Sequence, residues 1–274
     1  MLLGRVARTT SLLVVTILVG LAFSACAGSA DESRTGAAAP SGTAAAPSGT
    51  PTTSVVTSPS VDANGFAVPT RPDCAADAGG QFVVRATPDG RDTGVLVLGH
   101  GRTGVVLAPQ SDGDICQWLP FGRELARHYR VALFDWGVAG RDVPPVAVED
   151  LHRLGVRRVV LAGASLGGAY ALADAHTIRP RLAGVMSFSG ELTLRGGFDG
   201  RDGIRAWHGP LLALGSAHDG FFDRQAATVL ARLHPGPETV VVVPGNAHGV
   251  DLLTGPSQAR IRAAVDNFLH RTLG

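Results

Sequence analysis

The sequence predicts an α/β fold, a doubly wound and mostly parallel sheet with an antiparallel N-terminal edge, on three observations. From Val131 onward, short β-branched runs alternate with helix-forming stretches, the pattern of βαβ units. Ahead of them, three short β-runs stand close together with the turn signals Asp89-Gly90 and His100-Gly101 between them. Finally, the apolar run at 159–161 breaks at Gly163-Ala164-Ser165-Leu166-Gly167 and passes at once into a helix-forming stretch, as a strained strand-to-helix turn would.

In chain order, the runs at 81–86, 94–98 and 104–107 are expected as strands forming the antiparallel edge before the parallel part. Strands are then expected at 131–134, 159–162, 182–188, 211–214 and 239–243, with helices near 146–154, after Ser165, at 224–233 and at 257–273. Asp223, the rival of Asp219 for an acidic role at the site, precedes the helix at 224 and fits its N-cap better. The stretch between Ser189 and Gly209 is only about twenty residues long and glycine-rich, too short for a lid domain.

The turn at 163–167 carries the chemistry. With 36 glycines in 274 residues, a Gly-x-Ser-x-Gly match alone is weak, and a glycine-rich turn before a nucleotide-binding type of helix is the bland alternative. Two further groups raise it. A serine hydroxyl needs a base within hydrogen-bond reach and an acid to orient that base. Asp219 lies just beyond the expected strand at 211–214, and His248 lies in a glycine-flanked loop beyond the strand at 239–243. Both therefore fall at the carboxyl edge of the sheet, where ligand sites gather. His218 precedes the acid in sequence, whereas His248 follows it in the order serine, acid, histidine. His100, His128, His152, His176, His208, His234 and His270 read as surface or loop histidines, and Trp136, Phe198, Trp207, Phe221 and Phe222 as candidates to line a pocket.

From Cys74 to the C-terminus the chain resembles the α/β-hydrolase family, most nearly small secreted bacterial hydrolases of the dienelactone hydrolase and carboxylesterase type. The segment GVVLAPQSDGDICQWLPFGRELARHYRVALFDWGVAGRD resembles that family's third strand, oxyanion loop, first helix and fourth strand, with the helix beginning near Trp118-Leu119-Pro120. One departure stands out: the family's His-Gly after the third strand reads Pro109-Gln110 here. Proline has no N–H to offer an oxyanion, so the donors expected are the amides of Leu166 and of Ser111 or Gln110, Ser111 being favoured by its place. The resemblance implies a serine hydrolase of small carboxylic esters acting through Ser165, Asp219 and His248. Acyl transfer to a cell-envelope acceptor, or a surface-anchored binding module with an idle triad, are the other readings.

The N-terminus points to export. Arg5 and Arg8 precede an apolar run at 12–23, which has the length and charge of a secretory signal. It ends in Phe23-Ser24-Ala25-Cys26, which resembles a lipobox with Phe23 where leucine is common, so residues 1–25 are expected as signal peptide and Cys26 as a lipidated anchor on the outer face of the membrane, with plain secretion as the alternative. Residues 26–72 are rich in Ala, Gly, Ser, Thr and Pro and read as a disordered tether, leaving 73–274 as the catalytic domain. Assigning Cys26 to lipid leaves Cys74 and Cys116 of the three cysteines to pair in an oxidising compartment. A net charge of +1 gives no footprint for nucleic acid, and no zinc-binding spacing or phosphate loop appears, so no metal or other cofactor is expected. The oligomeric state is not legible.

Overall fold

The structure, a computed structural model, describes residues 60–62, 64–194 and 197–274; the expected signal peptide, Cys26 and most of the expected tether lie outside them. At the end of the tether segment, the Asn64 amide donates to the Gly90 carbonyl and the Arg91 guanidinium covers the Phe66 ring. No helix among the described residues is long and apolar enough to cross a membrane.

Among the described residues, ten strands and six α-helices follow one another: β1 (Gln81–Ala86), β2 (Asp92–Leu98), β3 (Thr103–Ala108), α1 (Ile115–Leu125), β4 (Arg130–Phe134), α2 (Val143–Arg153), β5 (Arg158–Ala164), α3 (Leu166–Asp174), β6 (Gly184–Phe188), the short strands β7 (Thr193–Leu194) and β8 (Phe198–Asp199), α4 (Arg201–Ala206), β9 (Leu211–Ser216), α5 (Arg224–Leu233), β10 (Glu238–Val243) and α6 (Gln258–Leu273). Eight strands form one sheet in the order β1-β2-β4-β3-β5-β6-β9-β10. β1 pairs antiparallel with β2, and β2 antiparallel with β4; every other pairing in this sheet is parallel.

One expectation is corrected here. β3 belongs to the parallel part of the sheet, not to its antiparallel edge, because β4 inserts between β2 and β3 and pairs with both. The short turn at 99–102 looks like a hairpin in sequence, yet it carries the chain over the place that β4 fills.

The central strands β3, β4, β5, β6 and β9 are buried on both faces, being largely runs of Val, Leu and Ala without polar alternation. Val106, Val159 and Leu161 face a core closed by α2, α3, α4 and α5. Val105, Leu107 and Val160 face the opposite core, closed by α1 and α6. Each large side chain buried this way contributes on the order of 1.5–3 kcal/mol. Among the described residues between β6 and α4 the chain makes the two-stranded β7–β8 ribbon and no lid domain.

Two helix starts show local chemistry at work. Asp114 accepts the Gln117 N–H at 3.2 Å and caps α1, which begins at Ile115, earlier than the Trp118-Leu119-Pro120 expected; Pro120 lies inside the helix. Asp223 caps α5 as expected, accepting the amides of Gln225 (2.8 Å) and Ala226 (2.9 Å). Cys74 and Cys116 form the expected disulfide, tying the segment before β1 to the first turn of α1.

Candidate active site

β5 delivers its last residues, Gly163 and Ala164, into a turn that exposes Ser165 at φ 50°, ψ −114°. This backbone conformation is rare for a residue with a Cβ and costs about 1–3 kcal/mol. It is held in place by the Ser165 N–H donating to the Phe188 carbonyl at 2.8 Å and by the Ser165 carbonyl accepting the Ala169 N–H at 2.9 Å. So sharp a turn needs bare backbone on either side. A Cβ at Gly163 would stand 2.2 Å from the Gly167 carbonyl carbon and oxygen, and one at Gly167 would stand 2.5 Å from the Ala108 carbonyl oxygen. The turn is thereby pressed against the loop that leaves β3, and the first N–H groups of α3, Leu166 among them, lack helical partners.

Asp219 lies in the turn after β9 and His248 in the loop after β10. His248 Nδ1 is 3.0 Å from Asp219 Oδ1 and 3.1 Å from Oδ2. The Asp219 side chain is 1% exposed and that of His248 25%, so the carboxylate is sequestered while the ring keeps a face toward the edge. Burial pushes the Asp219 carboxyl up, but hydrogen bonds from His248, the Ser189 hydroxyl and the Phe221 amide outweigh it and hold its pKa below the ordinary value of 3.8. It is therefore a carboxylate at neutral pH, and the contact leaves the proton of a neutral ring on Nδ1, freeing Nε2 to accept. The exposed Phe221 ring lies over the imidazole, centroid to centroid 4.7 Å. His218 is exposed, and Asp223 is engaged at its helix cap.

Ser165 and His248 come to the same neighbourhood through their neighbours: a Cβ at Gly249 would lie 3.4 Å from the Ala164 Cβ. Among the described residues no hydrogen bond reaches the Ser165 hydroxyl.

The loop after β3 divides the two donors expected of it. The Gln110 N–H already donates to the Gln117 side-chain oxygen at 2.9 Å. The Ser111 N–H has no partner among the described residues and lies at the exposed rim. Trp136 is bound into this loop through Nε1–H to the Gln110 carbonyl at 2.9 Å. Of the aromatic residues considered for a pocket, Trp207 and Phe222 are core, and Phe198 of β8 meets Tyr170 edge-on under the Arg141 guanidinium, which is paired with Asp174.

One residue at the site was not singled out in the sequence. Ser189, directly after β6, has φ 55°. Its buried hydroxyl accepts the Gly249 N–H at 3.0 Å and also serves Asp219. The only signal for it in the sequence is its position just beyond an apolar strand. Among the described residues no cluster of three or more His, Cys, Asp or Glu side chains is placed to hold a metal ion.

No protein-family model and no curated protein sequence matches the chain. Solved structures do. An esterase from Pyrococcus furiosus superposes with a TM-score of 0.61 at 13% identity, covering 76% of this chain and 97% of its own. A thermophilic esterase from Thermogutta terrifontis, with malate bound, gives 0.57 at 18% identity over 71% of this chain and 100% of its own. A hydrolase from Pseudomonas aeruginosa gives 0.57 at 17% identity over 70% and 99%. Identities this low speak for architecture, and together with the strand order and the strained serine turn they establish that the described domain has the α/β-hydrolase fold.

Proposed function

We propose that this protein is a serine hydrolase that cleaves small carboxylic esters through an acyl-enzyme. The observation that carries the proposal is the Asp219–His248 pair, 3.0 Å apart in the loops after β9 and β10, at the sheet edge where β5 delivers Ser165 into a left-handed strand-to-helix turn. His248 Nε2 takes the Ser165 proton as Oγ attacks the ester carbonyl, and Asp219 holds the ring and the positive charge it acquires. The amides of Leu166 and Ser111 receive the developing oxyanion. His248 then hands its proton to the departing alcohol, and a water activated by the same ring releases the acid. The serine-to-imidazole hydrogen bond this needs forms on substrate binding, since catalytic hydrogen bonds are commonly long in free enzymes. The esterases among the structural neighbours support the reaction class, and the absence of a lid domain among the described residues favours small or extended, accessible esters. The disulfide supports an exported protein, and with Cys26 read as a lipid anchor we place it at the outer face of the membrane.

Turnover of chromogenic short-chain esters tests the proposal. The intact protein is expected to release the chromophore and Ser165→Ala to lose nearly all of that activity; full turnover in Ser165→Ala rejects it.

A further inference from the structure

The imidazole hangs from the outermost strand, β10, yet it must serve a hydroxyl that follows β5, so the loop after β10 has to travel back across β9 and β6. Two hydrogen bonds hold its far end. The Gly249 N–H donates to Ser189 Oγ at 3.0 Å, above β6, and the Val250 N–H donates to the Gln110 side-chain oxygen at 3.0 Å, above β3. A Cβ at Gly249 would stand 1.9 Å from that Gln110 oxygen, so the loop is seated hard against the carboxamide.

Gln110 is itself immobilised. Its N–H donates to Gln117 Oε1 at 2.9 Å, and its carbonyl accepts the Trp136 Nε1–H at 2.9 Å and the Gly113 N–H at 3.1 Å. Gln117 stands in the first turn of α1, one residue after Cys116, which is bonded to Cys74. An unbroken series of contacts thus runs from the disulfide through Gln117 and Gln110 to the backbone two residues after His248.

We propose that Gln110 is a positioning residue for His248, with Gln117 and the Cys74–Cys116 bridge as its anchorage. The role rests on His248 being the general base. Where an oxyanion loop ordinarily contributes backbone amides, the Gln110 amide is spent on Gln117, and its side chain is turned to fixing the register of the base. Loss of that acceptor frees the Val250 N–H and loosens the loop just beyond His248, which Ser189 at Gly249 and Ser216 at Ala247 still hold. Displacements of about 1 Å cost on the order of 100-fold in rate, while substrate contacts elsewhere are untouched, so the loss falls on kcat and not on KM.

The test uses Gln110→Met and Gln110→Glu in the full chain, with kcat and KM on a chromogenic short-chain ester, hydrogen exchange across 244–253, and thermal midpoints. Gln110→Met is expected to lower kcat by about 10- to 100-fold with KM within about twofold and to speed exchange at the Val250 amide. Gln110→Glu keeps an acceptor oxygen and is expected to restore protection at that amide. Opening the bridge with Cys74→Ser and Cys116→Ser should lower kcat in the otherwise unaltered chain and add nothing in Gln110→Met, since both act on one series of contacts. Unchanged kcat or unchanged Val250 exchange in Gln110→Met overturns the proposal, as does a bridge effect that is fully additive. Absence of turnover from the unaltered protein would instead refute the esterase reading, and exchange at Val250 would still decide whether Gln110 holds the loop.

Discussion

Replacing Asp219 by Asn probes the buried half of the site with little change of volume. The carboxylate takes His248 Nδ1 at 3.0 and 3.1 Å, the Phe221 N–H at 3.0 Å and the Ser189 hydroxyl. The carboxamide turns one acceptor oxygen into a donor that faces other donors. Two losses follow, of different size. The imidazole is no longer held with its proton on Nδ1, and the tautomer protonated on Nε2 cannot accept from Ser165, which costs about 10³ to 10⁴ in kcat, or about 4–5.5 kcal/mol. Fold stability falls by less, about 1.5–3 kcal/mol for hydrogen bonds to a charged group. The pH dependence has a definite sign. Because the folded pKa lies below 3.8, the stabilisation from Asp219 is complete above the unfolded value and is lost as pH falls through the folded one; Asp219→Asn should lack that acid limb. The assay is steady-state ester turnover well below the melting temperature, with denaturant melts at neutral and acid pH. Asp223→Asn is the control, since asparagine caps a helix about as well as aspartate, and its kcat should stay near that of the unaltered protein. More than a tenth of the original kcat in Asp219→Asn, or an equal loss in Asp223→Asn, would refute the reasoning.

Removing the disulfide with Cys74→Ser and Cys116→Ser should lower stability by about 4 kcal/mol in the chain-entropy estimate for a sequence separation of 42 residues; denaturant midpoints check it, and a loss under about 1 kcal/mol would argue against that estimate. Gly167→Ala places a Cβ 2.5 Å from the Ala108 carbonyl oxygen and 2.6 Å from that of Pro109; about 1–3 kcal/mol of destabilisation and a fall in kcat are expected, and wild-type values for both would show that the turn has room. His234 is enclosed, and burial, outweighing backbone contacts from Gly209 and Gly236, lowers its pKa from 6.5. The unfolded chain therefore binds its proton first, and stability should decline as pH falls from about 6.5. His234→Phe should flatten that decline in denaturant melts; the neighbouring Glu238 carboxyl, raised by burial and 3.9 Å away, acts with the opposite sign, because the folded chain binds its proton more tightly; an unaltered slope would contradict the assignment.

Periodicity made the scaffold legible. The helices at 224–233 and 257–273 and the strands at 81–86 and 239–243 stand where apolar spacing placed them, to within a residue, because each is decided by which side chains it buries. Of the three residues read from chain order, the structure brings the acid Asp219 and the imidazole of His248 within 3.0 Å of one another. What escaped depends on partners distant in sequence. The turn at 99–102 gives no hint that β4 will fill the gap between its strands. Nothing local in Gln110 shows that its amide will be taken by Gln117, nor in Ser189 that its hydroxyl will join the loops of Asp219 and His248. His234, read as a surface residue, follows an amphipathic helix, and only its tertiary surroundings enclose it.

The central claim is that Ser165 is a nucleophile activated by the Asp219–His248 pair. Treating the protein with a fluorophosphonate probe and locating the adduct by peptide mass spectrometry tests this directly. The account expects one stoichiometric adduct on Ser165, absent from Ser165→Ala and formed far more slowly in His248→Ala. Folded protein that takes up no label, or carries it on another residue, would contradict the account.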